Sequence, residues 1–138
     1  MPMLELYSVR DGTVQAQAGL NWGLADAHVN CEDAYIALTT SFFRNNPNFF
    51  PAQGSIINVI WDDGTQMQCL LEGTQRIEGI VYPKQLSSYN DKSIIGHYIR
   101  RRIGVSPNKQ IDMQDLVNYG RNYIDASYNN GVYYFDFS

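Results

Sequence analysis

A chain of 138 residues can bury one core without covalent staples, and a single domain over residues 1–138 is expected. Hydrophobic residues at 44% and ten tyrosines exclude a disordered chain and favour strands, while two cysteines, Cys31 and Cys69, are too few for a disulfide framework or a zinc set and point to a reducing cytoplasm. No apolar run approaches the ~18 residues of a membrane span, so the chain reads as soluble, and a net charge of −4 argues against a general affinity for polyanions.

The charge is unevenly spread. Residues 1–75 carry only Arg10 and Arg44 against eight acids, and residues 110–138 carry Arg121 against four. Between them, Arg76, Lys84, Lys92, Arg100, Arg101, Arg102 and Lys109 face only Glu78 and Asp91, a local net of +5. Such a segment can present a positive field to a polyanion on an otherwise acidic protein.

In chain order, Leu4 to Val9 reads as an opening strand, Asp11-Gly12 as a turn, and Tyr35 to Thr39 as a second β-prone run. Between these runs, Gly23 to Ala34 is a polar insert without sustained periodicity. Phe42 to Pro51, with two prolines and three asparagines, reads as an irregular loop pinned by aromatics. Ile56 to Trp61, Asp62-Asp63-Gly64 and Thr65 to Leu71 form a hairpin signal, because the Asp-Gly pair supplies the positive φ of a tight reversal. Ile77 to Tyr82 reads as a further strand. Apolar residues at 94, 95, 98, 99 and 103 make a helix stripe, with Asn90 or Asp91 as cap and Gly104 as stop. Asp112 to Gly120 reads as a shorter helix capped by Asp112, and Asn129-Asn130-Gly131 turns the chain into a last strand, Val132 to Phe137. About seven strands and two helices give a mainly β protein, an open or closed barrel with the helices at its ends.

The pattern contains no visible active site. Cys31 and His28 are the nearest nucleophile and base, but nothing flanking them orients the pair, and His28 reads as a polar loop residue. His97 falls on the surface of the longer helix. Asp62 and Asp63 precede a glycine in a tight turn and point apart, which suits a hairpin better than a metal. There is no Gly-rich phosphate loop and no histidine pair at i, i+4. What remains is a set of polar loops, Asp26 to Asp33, Arg44 to Asn48 and Glu72 to Glu78, rich in side chains that read base edges: Asn and Gln for adenine, Arg for guanine, Asp and Glu for cytosine.

Gly19-Leu20-Asn21-Trp22-Gly23, Ala34-Tyr35-Ile36, Phe49-Phe50-Pro51 with Gly54, Asp62-Asp63-Gly64, and Ser93 to Gly104 stand in an order and spacing similar to a known family. Asp115 to Arg121 and Tyr133 to Ser138 extend the likeness. The chain resembles the B3-like DNA-recognition domains of prokaryotic type II restriction endonucleases, of the NgoAVII and NgoFVII kind, related in fold to the plant B3 domain. The resemblance implies a seven-stranded open pseudobarrel with two flanking helices, gripping the major groove of double-stranded DNA with two arms. Carried over by position, Asp26, His28 and Asn30 lie in the N-terminal arm, anchored at its ends by Trp22 and Tyr35. Arg44, Asn45 and Asn46 form a neighbouring loop, Glu72, Thr74, Gln75, Arg76 and Glu78 form the second arm, and Lys84 and Lys92 contact phosphates. Leu24-Ala25-Asp26 stands where an Arg or Gln is usual after the Trp-Gly pair, and Leu71-Glu72 where a basic residue is common, which bears on the target sequence rather than the fold.

The resemblance further implies a monomer that binds DNA in the prokaryotic cytoplasm, at the nucleoid. No catalytic residue, cofactor or metal is expected in this chain; a divalent ion would belong to the nuclease centre of the parent enzyme. The composition alone also admits a β-barrel that binds a peptide, carbohydrate or partner protein through a Tyr-rich surface. Within the DNA-binding expectation, Arg76 matters to binding and Arg121, near the second helix, does not.

Overall fold

Along β3 (Ile56–Trp61), Ile57, Val59 and Trp61 are buried while Ile56 and Asn58 face out, so one face of the strand is dedicated to a core. Its partner β4 (Gln66–Glu72) buries Cys69 and Leu71 in the same way, and the two meet through the expected Asp62-Asp63-Gly64 reversal. The computed structural model describes residues 2–26, 28 and 30–138. Its other strands are β1 (Met3–Glu5), β2 (Ile36–Ala37), β5 (Gln75–Ile77), β6 (Ile80–Tyr82), β7 (Gln85–Ser88), β8 (Tyr123–Asn129) and β9 (Val132–Asp136). Three α-helices, α1 (Thr40–Asn45), α2 (Ser93–Ile103) and α3 (Met113–Tyr119), and a short 3-10 helix at Gly19–Leu24 complete it.

Seven strands form one sheet in the order β1-β8-β9-β3-β4-β7-β2. Only β3 and β9 pair in parallel; the other pairs are antiparallel. The sheet curls until its edges β1 and β2 face each other across one unsealed seam, an open pseudobarrel as expected. Gly19 and Leu20 lie in that seam between Leu6 and Ile36, so the segment leading to the polar insert is planted in the gap. The barrel is filled by Leu4, Val59, Trp61, Leu71, Leu86, Ile124 and Phe135, with α2 contributing Ile95, Tyr98 and Ile99.

Local readings shift in several places. The opening strand is shorter than Leu4 to Val9, because the chain folds back through a bridge between Ser8 and Thr13. Tyr35 to Thr39 is a strand only at Ile36 and Ala37, since Thr39 leaves it to cap α1, accepting a bond from the Phe42 amide at 3.0 Å. The first part of the expected Phe42 to Pro51 loop is therefore helical. Ile77 to Tyr82 is not one strand but the heart of a separate hairpin, β5 and β6. Strands β7 and β8 have no counterpart in the sequence reading.

The helices end and begin largely as read. Asp112 and Asp115 form a reciprocal capping box on α3, and Gly104 stops α2. Asp91 accepts from the amide and hydroxyl of Ser93, at 2.9 and 2.5 Å, although the cap position itself is Lys92.

Arg102 ties this scaffold together. Its guanidinium meets Asp62 through two bonds of 2.7 and 2.9 Å and donates to the Tyr98 and Tyr119 hydroxyls and to the carbonyl of Phe137. Asp62 also accepts from the Phe137 amide at 2.7 Å, and Asp63 accepts from the Thr65 amide and the Tyr98 hydroxyl, both at 3.0 Å. The β3–β4 turn, both long helices and the end of β9 are thus joined at one point, and the structural role expected of the two aspartates holds. Burial works to raise the Asp62 carboxyl, but the bonds from Arg102 and Phe137 outweigh it and hold it below the usual carboxylate range. A depressed folded-state pKa stabilises fully above the unfolded value of about 4 and is lost as pH falls through the folded value. Urea unfolding followed by fluorescence should therefore show stability falling on acidification below about pH 4, and Asp62→Asn should cost about 2 kcal/mol at pH 7 and flatten that acid limb. An Asp62→Asn protein with wild-type stability at pH 7 would show that the node carries no load.

Candidate nucleic-acid interface

The polar insert rises from a fully buried asparagine. Asn21 donates through its amide to the carbonyls of Gln15 (2.7 Å) and Ile111 (2.8 Å) and accepts from the Ile111 amide (2.8 Å) and from Arg100 (3.3 Å). Arg100, almost wholly buried, also donates to the carbonyls of Ser106 (2.8 Å) and Lys109 (2.5 Å). Desolvation pulls its pKa down, and the guanidinium is bonded to neutral oxygens. Arg100 is thus a strut under the foot of the insert.

Above that foot the chain leaves at Gly23 and returns at Asp33 to Tyr35. The Gly23 amide bonds the Asp33 carbonyl at 2.7 Å, and the Tyr35 amide bonds the Gly19 carbonyl at 3.2 Å. Trp22 and Tyr35 meet edge to face at 5.2 Å, as expected of the anchors. His28 folds back rather than out: its ring lies 4.2 Å from Trp22, and Nδ1 is 2.9 Å from Asp33. His97, exposed as expected, pairs with Glu32 at 2.9 Å, and the Cys31 thiol reaches Asn108 at 3.1 Å. The exposed positions described in the arm are Asp26 and Asn30, and Asn30 Oδ1 also accepts from the Glu32 amide. Ala27 and Val29, inside the same insert, lie outside the described residues.

Helix α2 presses directly on this arm. A Cβ at Gly96 would stand 1.7 Å from the Glu32 carbonyl oxygen, and one at Gly23 would stand 2.4 Å from that of Cys31. The bare backbone at Gly96 lets the arm lie on the helix, and the bare backbone at Gly23 lets the two limbs of the arm close on each other.

The segment expected as the second arm leads into the hairpin β5–β6, reversed at Glu78-Gly79 with φ of 51° and 81°, a two-residue turn of type I′. Gln75 fixes its base, donating to the carbonyls of Leu38 (2.7 Å) and Pro83 (2.8 Å) and accepting from Thr40. Tyr82 stacks on Phe43 of α1 at 4.4 Å, worth about 1 kcal/mol beyond the buried area. Thr74, Arg76 and Glu78 are exposed along it, whereas Glu72 and Lys92 are ion-paired with each other. Of the second-arm set, then, Gln75 and Glu72 have structural partners, and so does the expected phosphate contact Lys92.

An open groove is lined by Tyr35, Ala37, Gln75 and Gln85 together with the cations Lys84 and Arg10. Arg10 is almost entirely exposed on the Ser8–Thr13 turn, with only a loose contact to Asp11 at 3.4 Å. It is the residue sequence reasoning missed, because it lies in an acidic stretch; the Asp11-Gly12 turn signal was the available hint. On α1, Arg44 lies one turn beyond Thr40, which touches Gln75, so it shares the hairpin-side face. Asn45 and Asn46 line a different cleft, with Pro2, Met3 and Glu5, and Asn46 closes α1 by bonding the Phe42 carbonyl at 3.0 Å.

The cations sort accordingly. Lys92, Arg102, Lys109 and Arg121 are ion-paired and Arg100 is buried. Arg44, Arg76, Lys84 and Arg101 have no acidic partner among the described residues. Apart from Arg101, on the end of α2, the free positive charge belongs to the hairpin (Arg76), the groove (Lys84, with Arg10) and α1 (Arg44).

Residues 4–130 match the family of the NgoFVII C-terminal B3-like DNA-binding domain. The chain belongs to this family. No curated protein matches it significantly. A B3-like domain is a DNA-binding module of restriction enzymes, and the pseudobarrel with its two projecting segments fits that family.

Cys31 and His28 engage different partners, and Cys69 is buried, its thiol pushed up to about 12 by desolvation. No group of three metal-ligating side chains occurs among the described residues. Among the tyrosines, Tyr89, Tyr128 and Tyr134 are exposed, and Tyr128 and Tyr134 occupy opposite faces of the β8–β9 pair, so they form no common surface. Arg121 lies remote from the groove but is built in, stacked 4.5 Å from Tyr123 and bonded to Asp125 and the Ser138 carbonyl. It is thus a structural residue rather than a neutral control.

Gly96→Ala should force α2 and the arm apart, lowering the melting temperature by roughly 5 °C and speeding amide exchange at Gly23 and Ala34. An unchanged melting curve and exchange pattern would mean the arm does not rest on α2.

Proposed function

We propose that this chain is a sequence-specific double-stranded DNA-binding module that enters the major groove with the 23–35 insert and the β5–β6 hairpin. It serves as the recognition or effector domain of a type II restriction endonuclease whose catalytic domain lies elsewhere. The observation that carries the reading is the distribution of free cations: Arg10 and Lys84 line the groove, and the unpaired Arg44 and Arg76 sit on α1 and the hairpin, whose Thr40 and Gln75 also line it, while most other cations of an acidic chain are absorbed by the scaffold. A polyanion meets a local field, so the overall charge of −4 is no obstacle within a Debye length of roughly 8 Å. The major groove admits a two-stranded ribbon, and Asp26, Asn30, Thr74, Arg76 and Glu78 supply exposed groups of the kinds that read base edges. His28, tied to Trp22 and Asp33, acts by holding the arm in shape, and Gln75 by holding the hairpin. Lys84 is the phosphate contact, with Arg10 and Arg44 beside it. The protein binds as a monomer, and its own binding requires no metal.

With three or four phosphate contacts, log affinity should fall with log salt at a slope of about −3 to −4. Selection from a randomised duplex library should enrich a short motif. Lys84→Ala and Arg10→Ala should each flatten the salt slope by about 0.9, and Arg76→Ala should weaken binding by an order of magnitude or more and relax specificity, at about 1 to 3 kcal/mol per good base contact. Arg101→Ala should leave binding nearly unchanged. No enriched motif, or equal losses at Arg76 and Arg101, would overturn this assignment.

A further inference from the structure

The β5–β6 hairpin has two unlike faces. Cross-strand partners share a face and neighbours along a strand alternate, so Gln75, Ile77, Ile80 and Tyr82 lie on one side and Arg76 and Val81 on the other. The first side meets the protein: Ile77 is buried, Tyr82 stacks on Phe43, and Gln75 is bonded to Leu38 and Pro83. At the tip Ile80 is exposed too, and the second side is open to solvent. Val81 is 44% exposed, directly opposite Arg76, whose guanidinium curls toward the Gly79 carbonyl at 3.5 Å. The ribbon is held at its base, so this pair keeps a fixed pose at a projecting edge, where an exposed β-branched residue is a liability for the isolated protein.

An aliphatic side chain beside a guanidinium on a ribbon that enters the major groove has a specific complement. There, one base type presents an apolar group, the 5-methyl of thymine, and guanine offers Arg its O6 and N7. Resting on the DNA-binding reading above, we infer that Val81 reads the 5-methyl group of a pyrimidine adjacent to the base engaged by Arg76. Thymine and 5-methylcytosine carry the same group in the same place. Arg76 fixes the register of the ribbon on the duplex, and Val81 buries the methyl against its own two methyl groups.

The test uses the motif selected by the wild-type chain. Each thymine is replaced in turn by deoxyuridine, which lacks the methyl, and each cytosine by 5-methylcytosine, which adds one. At one position, removal should weaken wild-type binding, or addition strengthen it, by roughly fourfold, the worth of one buried methyl group. Val81→Ala, at an exposed position, should fold normally, bind the motif, and lose that difference; Ile80→Ala, on the opposite face, should keep it. Loss at a thymine identifies thymine as the source of the methyl, and gain at a cytosine identifies 5-methylcytosine. A specific motif with no methyl-sensitive position, or a methyl effect that survives in Val81→Ala, would overturn the inference and leave the DNA-binding reading standing. Failure to select any motif would overturn that reading instead, and this inference with it.

Discussion

The placement of the N-terminal arm depends on a buried guanidinium that has no carboxylate. Arg100 reaches three oxygens, two of them carbonyls of the 105–110 segment and the third the side chain of Asn21. Removing a cation from water is costly, and here the cost is offset by dipoles that belong to different parts of the chain. The end of α2, the loop before α3 and the 3-10 helix under the insert must therefore coexist in one geometry. Asn21 has its bonding capacity filled on both sides of the amide, so the foot of the arm cannot rotate without orphaning buried groups. The arm is then laid on α2 where Gly96 lets the backbones touch, and its two limbs close on each other at Gly23.

The second arm is positioned by different means with the same result. An aromatic stack to α1 and the carbonyl bonds of Gln75 fix the base of the hairpin, while its outer face is left free. Both segments are thus bonded and packed at the root, with exposed polar side chains beyond it. The scaffold also decides which charges reach solvent. Of the seven cations in residues 76–109, Lys92, Arg100, Arg102 and Lys109 are consumed internally, so the local excess counted along the sequence overstates what a ligand meets. The field that remains is smaller, but it is concentrated around the groove and reinforced by Arg10 and Arg44 from stretches that are acidic in sequence.

The fold was legible where local chemistry and tertiary demand agree. Asp62-Asp63-Gly64 announces its hairpin, the stripe at 94, 95, 98, 99 and 103 announces α2, and Asp112 with Asp115 announces α3. Strand β7 was not legible, because Gln85-Leu86-Ser87-Ser88 has little β-propensity; its buried serines are bonded to Ala34 and Asp91, so pairing between β4 and β2 makes it a strand. The β5–β6 hairpin was hidden because Glu78 takes the positive φ at which Asn or Asp is the usual signal. For the interface, residue types pointed to the arms, but whether a side chain is free or spent depends on partners distant in sequence: Glu72 with Lys92, His28 with Trp22, Gln75 with Leu38. Arg10 was invisible for the converse reason, since only the folded sheet brings its turn beside Lys84.

The central claim is that one face of the barrel, framed by the two arms, meets the duplex. The most direct measurement is a chemical-shift titration of the isotope-labelled chain with its selected duplex. Perturbations should concentrate at residues 8–13, 23–35, 40–46 and 73–85, with α3 and the end of α2 around Arg101 and Lys109 unmoved. Perturbations centred on Arg101, Lys109 and α3, with the hairpin unchanged, would contradict that claim.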